Sequence, residues 1–195
     1  MDIKINNNKN HLYNLAFNNV TLKAGSKIII ENKSININYS NMVILKGVSG
    51  SGKSTLLKAI AGIKELSSGN IASLKNKENI EAIFIHCQPE LNFLTGYIKD
   101  ELDILGIKDY SLYNEFLYKS IYELNGGALK KISLLMALHI SNGRIILADE
   151  PLDMLDDIQA DYLSKTIIEY SKNVPFIIAT HDKHFDEYAD VIITL

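Results

Sequence analysis

The sequence predicts an α/β fold: a parallel sheet core, an antiparallel β region near its start and a small helical insertion. Three observations carry that prediction. Short apolar runs recur along the chain, each bounded by polar residues or Gly/Pro: "MVIL" (Met42 to Leu45), "AIFI" (Ala82 to Ile85), "IILA" (Ile145 to Ala148), "FIIA" (Phe176 to Ala179) and "VIIT" (Val191 to Thr194). Runs of this kind mark strands buried on both faces. Helical patterns alternate with them near Ser54 to Gly62, Ala128 to Ile140 and Asp156 to Tyr170, which is the α/β arrangement. The opening region differs, because "KSININ" (Lys33 to Asn38) alternates at period two, as antiparallel strands with one wet face do.

Taken in order, residues from about 1 to 41 form the antiparallel region, and the parallel core begins at Met42. Residues from about 89 to 124 lack a strand signal and carry helical spacing at Leu112, Phe116 and Ile121, so they read as a helical subdomain inserted in the core. At 195 residues and 47% hydrophobic, the chain suits one domain with one well-buried core. A net charge of −3 and a single arginine, Arg144, give no basic field, which argues against a nucleic-acid partner. The lone Cys87 excludes an intrachain disulfide and fits a reducing cytosol, where it reads as a small buried apolar side chain. No apolar run approaches the roughly 18 to 20 residues needed to cross a bilayer, so a membrane role would come through a partner.

The segment "GVSGSGKST" follows one strand and opens a helix, the context of a phosphate-binding loop. Gly47, Gly50 and Gly52 let the backbone of Gly47, Val48, Ser49, Gly50, Ser51 and Gly52 curl so that its N–H groups face phosphate, aided by the positive end of the helix. Lys53 would bridge the β- and γ-phosphates, and Ser54 would ligate Mg²⁺ with Thr55 beside it on the phosphates. Kinases, GTPases and transport ATPases all share this loop, so it establishes a nucleotide and no more.

A second run, "IILADEP", ends in Asp149 and Glu150 at the strand edge where open α/β sheets hold ligands. Asp149 suits Mg²⁺, and Glu150 suits a general base that polarises water. Gln88 and His181 follow strands of their own and reach the same edge. Gln88 would contact the metal or the attacking water, and His181 the γ-phosphate and the water. Two adjacent glycines in "LNGGALKK" (Leu124 to Lys131) are odd at the mouth of a helix, where glycine costs backbone entropy.

The order P-loop, Gln88, "LNGG", "LADEP", "LDMLD", "THD" resembles the ATP-binding cassette (ABC) family over nearly the whole chain. The resemblance implies a P-loop NTPase (RecA-like) core, ATP hydrolysis with Mg²⁺, and two cassettes paired head to tail as a homo- or heterodimer. In such a pair Asn125, Gly126 and Gly127 would contact ATP held by the other subunit, and Asp156 would sit in the loop linking the two sites. A membrane-spanning transporter subunit is the implied partner, placing the protein in the cytoplasm on the inner face of the membrane. "QPELNFLTGYIKDEL" (Gln88 to Leu102) resembles importer cassettes of the energy-coupling-factor type, and exporters with separately encoded cassettes fit it as well. A soluble ABC ATPase of DNA maintenance or translation control is the alternative, though such proteins usually carry coiled-coil insertions or two cassettes.

The chain departs from the family pattern in several places. The usual Leu-Ser-Gly-Gly-Gln has Asn125 for serine and Ala128 for glutamine; Asn125 can still donate to phosphate through its amide but Ala128 offers no side-chain contact, which implies ATP hydrolysis that is retained but slower. Lys23, Ala24 and Gly25 stand where an aromatic that stacks on adenine is expected, and Tyr13 or Phe17 would substitute only if the first strands fold differently. The stretch from Gln88 to Leu124 is short, implying a trimmed helical subdomain.

Overall fold

The computed structural model describes residues 1–6 and 11–195. The five apolar runs become the parallel part of a six-stranded sheet ordered β1 (Asp2–Ile5), β10 (Val191–Thr194), β4 (Met42–Lys46), β9 (Phe176–Ala179), β8 (Ile145–Asp149) and β7 (Ala82–Ile85). Alternate residues of the central strands feed two cores. Val43, Leu45, Ile145, Leu147 and Ile177 pack with Leu56 and Leu57 of α1 (Lys53–Ile60) and with the second sheet. Ile44, Ile146, Ala148, Phe176 and Ile178 pack on the other side with Leu134 and Ala137 of α3 (Gly126–His139) and with Leu163 and Ile167 of α4 (Asp157–Ser171). Cover on both faces is why these strands read as unbroken apolar runs.

The second sheet is antiparallel, in the order β3 (Lys27–Tyr39), β2 (Tyr13–Ala24), β5 (Ser68–Lys75) and β6 (Glu78–Asn79). Its make-up corrects the expected antiparallel region of residues 1 to 41 at both ends. β1 leaves that region and pairs with β10 at the edge of the first sheet. β5 and β6 join it from beyond residue 41, and they had no sequence signal because Ser73 is the only buried residue of the two strands. Gly69 serves a close approach there: a Cβ on it would lie 2.3 Å from the carbonyl oxygen of Asn18.

The helical insertion is shorter in helix than expected. It contains α2 (Ile98–Ile104) and 3₁₀ turns at Pro89–Asn92, Ser111–Tyr113 and Ile121–Glu123. The Leu112, Phe116, Ile121 spacing therefore forms no continuous helix, and Leu112 is exposed. A third core holds the insertion together, with Phe93, Leu102, Tyr113 and Phe116 packed on Leu129, Ile132 and Met136 of α3. Glu101, only 2% exposed, accepts hydrogen bonds from the backbone N–H of Leu94 and Thr95 and so pins the turn before α2. Buried Asp190 does similar work at the start of β4: its Oδ2 accepts from the N–H groups of Ser40, Asn41 and Met42 and fixes the strand that leads into the P-loop.

Candidate functional site

β4 delivers the chain to Gly47, and the loop turns through left-handed backbone at Gly50 (φ 76°) and Gly52 (φ 114°). A Cβ on Gly47 would meet Ser51 Oγ at 2.4 Å, so the loop closes this tightly only with glycine. α1 starts at Lys53 with no side-chain cap and no acidic residue in its first turn, which leaves its N–H groups and positive end for an anion. Ser51 Oγ is buried without a hydrogen-bond partner among the described residues. Buried Lys53 folds back, its Nζ donating to the Gly47 carbonyl oxygen at 2.9 Å and standing 3.4 Å from Glu150 Oε1. An orphan hydroxyl, an uncapped helix end and an inturned ammonium form a cradle that suits a polyphosphate.

Asp149 ends β8 with 2% exposure, and its Oδ1 accepts a 2.8 Å hydrogen bond from Ser54 Oγ. Burial pushes its carboxyl pKa up, with the charge of Glu150 adding to the rise and the Ser54 hydrogen bond opposing it. Glu150 is the next residue and adopts φ 44°, an uncommon conformation for a residue with a Cβ. Its own N–H is tied to the Ala179 carbonyl oxygen at 2.8 Å, and its Oε2 lies 3.1 Å from His181 Nδ1. Glu150 is thus held between Lys53 and His181. Lys46 locks the far side, pairing with Asp186 at 2.7 Å and donating to the Asp182 carbonyl.

Gln88 reaches the same edge of the sheet but stands apart from this cluster. Its side chain is exposed and makes no hydrogen bond among the described residues, while its N–H donates to His86 Nδ1 at 3.1 Å. Burial lowers the pKa of that imidazole. Cys87 is half-buried and free, so the expectation of a fully buried thiol is corrected.

The glycines of "LNGG" differ in their surroundings. Asn125 caps α3, its Oδ1 accepting from the Ala128 N–H at 2.9 Å. That bond uses the Ala128 donor inside the chain and leaves the N–H groups of Gly126 and Gly127 and the Asn125 Nδ2 for another acceptor. Gly126 faces open space, whereas a Cβ on Gly127 would lie 2.6 Å from Gln159 Oε1 of α4. That neighbour is the far end of a flexible side chain, which can shift to admit a Cβ, so packing alone does not require glycine at 127. Asp156 caps α4 through the Gln159 N–H at 2.8 Å, so its carboxylate is engaged within the chain. Tyr13 and Phe17 are buried in the core, which removes both as contacts for adenine.

One buried lysine beside the site escaped sequence reading. Lys130 of α3 is 7% exposed, and its Nζ donates to the carbonyl oxygens of Glu150 at 3.0 Å and Asp153 at 2.6 Å. Burial lowers its pKa. The signal was present in the helix spacing: Lys130 shares a ladder with Ser133 and Ala137, both buried.

The family model described as ABC transporter matches residues 30–153. The chain belongs to the ABC transporter family. The putative hemin import ATP-binding protein HrtA of Staphylococcus saprophyticus is 32% identical over 86% of this chain and 87% of that protein. The tungstate uptake system ATP-binding protein TupC of Campylobacter jejuni is 30% identical over 88% of this chain and 58% of that longer protein. Among solved structures, cbiO1 of Clostridium perfringens, part of the ABC transporter complex cbiONQ, superposes with a TM-score of 0.74 at 18% identity, covering 95% of this chain and 85% of that one. A dimeric ATP-binding cassette in a post-hydrolysis state, bound to ADP and Pi, superposes with a TM-score of 0.67 at 22% identity, over 93% of this chain and 94% of that one. The ABC chain described here is the family's ATP-binding ATPase subunit, and its relatives favour transport over a soluble, non-transport role. Among the described residues no helix is long and apolar enough to cross a membrane.

Proposed function

We propose that this ABC ATPase is the motor of a solute importer, working on the inner face of the cell membrane against a separate membrane-spanning subunit. The observation that carries the reading is the meeting of Lys53, Glu150 and His181 at the mouth of the P-loop. A lysine for phosphate, a carboxylate for water and an imidazole within 3.1 Å of that carboxylate are the parts that ATP hydrolysis requires.

Each residue has a task in this reading. The backbone from Gly47 to Gly52 binds the phosphates, Lys53 turns from the Gly47 carbonyl to the β- and γ-phosphates, and Thr55 lies beside them. Ser54 and Asp149, with oxygens 2.8 Å apart, would hold Mg²⁺, and Gln88, whose side chain is exposed, would turn toward the metal or the attacking water. Among the described residues no group of three His, Cys, Asp or Glu side chains could hold a metal, so phosphate and water oxygens would complete the set. The ion would offset the charge of the terminal phosphates. Glu150 takes a proton from the attacking water, and His181 orients that carboxylate and the γ-phosphate.

The free N–H groups of Gly126 and Gly127 and the amide of Asn125 fit the γ-phosphate of ATP held by a second subunit, bound head to tail. Asp156, by capping α4, fixes the turn that carries Met154, 95% exposed, toward that subunit. The dimeric ADP-bound cassette supports this assembly by its fold, and the names of the hemin and tungstate relatives support import. The test is size exclusion of Glu150→Gln with saturating ATP and Mg²⁺. The expected outcome is a stable dimer, and a protein that remains a monomer under those conditions overturns the head-to-tail model.

A further inference from the structure

His181 lies on the irregular segment that joins β9 to β10. The ends of that segment are tied to β4, where the Thr180 N–H donates to the Leu45 carbonyl oxygen at 3.1 Å and the Asp190 N–H to that of Met42 at 2.9 Å. Between those ends the hydrogen bonds are mostly local, as from the Asp182 N–H to Thr180 Oγ1 at 3.0 Å and from the Asp186 N–H to the Lys183 carbonyl oxygen at 3.1 Å. Phe185 anchors the middle by burial in the same core as Ile44. The polar anchor is Lys46, the last residue of β4: its Nζ donates to the Asp182 carbonyl oxygen and stands 2.7 Å from Asp186 Oδ1. That carboxylate oxygen is buried, and no other group hydrogen-bonds it among the described residues. The ammonium therefore compensates a charge that water does not reach. The next residue after Lys46 is Gly47, whose carbonyl oxygen receives Lys53 Nζ.

From this arrangement we infer that Lys46 is a positioning residue for ATP hydrolysis, fixing the segment that bears His181 to the strand that opens the P-loop. The inference rests on the role of His181 proposed above. The His181 side chain is 68% exposed, so packing does not hold the ring. Its place beside Glu150 depends on its backbone, whose N–H lies 3.3 Å from Glu150 Oε2. The carbonyl that Lys46 holds belongs to the very next residue. Displacement of a reacting group by about 1 Å costs about a hundredfold in rate. Two oxygens of the segment already engage the Lys46 ammonium, so its loss falls on the rate and not on nucleotide affinity.

Steady-state phosphate release and calorimetry with MgATP test the inference on the whole chain, with His181→Ala as the reference. His181→Ala is expected to lower kcat about a hundredfold. If its kcat equals that of wild type, the reading of the imidazole has failed and takes the role of Lys46 with it. Lys46→Met keeps the aliphatic stem and is expected to lower kcat about ten- to hundredfold, with ATP affinity within about threefold of wild type. In the His181→Ala background the same change is expected to cost less than about twofold, because residues that act through one group are not additive. A merely structural role would lower both backgrounds alike. If Lys46→Met does not fold, the double variant Lys46→Met/Asp186→Asn, which leaves no unpaired carboxylate buried, replaces it with the same expectations. An unchanged kcat, a loss of affinity at normal kcat, or a full second loss in the His181→Ala background overturns the assignment of Lys46 and leaves the reading of His181 standing.

Discussion

At the scale of single residues, the site keeps a carboxylate where the fold would be more stable without its charge. Asp149 is almost fully buried, and burial is the largest cause of its raised pKa. The unfolded chain has the lower pKa, so the folded state binds the proton first as pH falls. Ionised Asp149 thus opposes folding at neutral pH, and that cost fades as pH drops through the raised folded value. Asp149→Asn keeps an acceptor for Ser54 Oγ and removes the charge beside Glu150. The nucleotide-free variant is expected to melt a few degrees above wild type at pH 7.5, with the gap closing as pH is lowered below the folded pKa. Thermal unfolding at several pH values checks this, and a variant that melts lower at pH 7.5 would show that the carboxylate is stabilising as it stands.

Among elements, the connection that matters most joins α3 to the turn after β8. Lys130 spans it, with its ammonium on the carbonyl oxygens of Glu150 and Asp153. Glu150 holds left-handed backbone, which persists only where neighbours determine it. Lys130→Met retains the apolar stem and removes both charge-assisted bonds, each worth about 1.5–3 kcal/mol. The expected result is a kcat for ATP lowered about tenfold with a nearly unchanged ATP affinity, because Lys53 and the P-loop are untouched. A variant with weakened affinity and normal kcat would place the role of Lys130 elsewhere. Such links explain what could be read beforehand. β4, β7, β8, β9 and β10 were legible because most of their apolar residues are packed against the cores on either face of the sheet. β5 and β6 were not, since the pairing of β5 with β2 and of β6 with β5 rests on backbone hydrogen bonds and a glycine contact rather than an apolar stripe. Glu150, His181 and the P-loop could be placed from motif and strand edge. Lys130 could not, because its carbonyl partners on Glu150 and Asp153 are set by the tertiary fold.

For the whole molecule, the question is how a chain with no membrane-crossing helix among its described residues would meet the membrane partner proposed for it. Its net charge of −3 offers no attraction to an anionic lipid surface. Apolar surface is available between β7 and the helical insertion. Leu91 is 63% and Leu94 83% exposed there, and Ile63, Ile83, Leu105 and Ile140 line the same groove. Phe93 anchors the segment in the third core, so the outward leucines do not merely fill the insertion. Exposed apolar residues clustered in a groove mark a docking surface. The insertion that bears them packs on α3, whose first residues are the glycines that would sense ATP on a second subunit. A partner seated in the groove would therefore feel nucleotide-driven movement of α3 through one continuous core. Replacing both leucines by serine is expected to shift the melting temperature by no more than about 2 °C, since neither side chain is buried. The same variant is expected to lose co-purification with a multispanning membrane protein that wild type retains in mild detergent. Retention of that protein by the double variant would move the docking surface away from this groove.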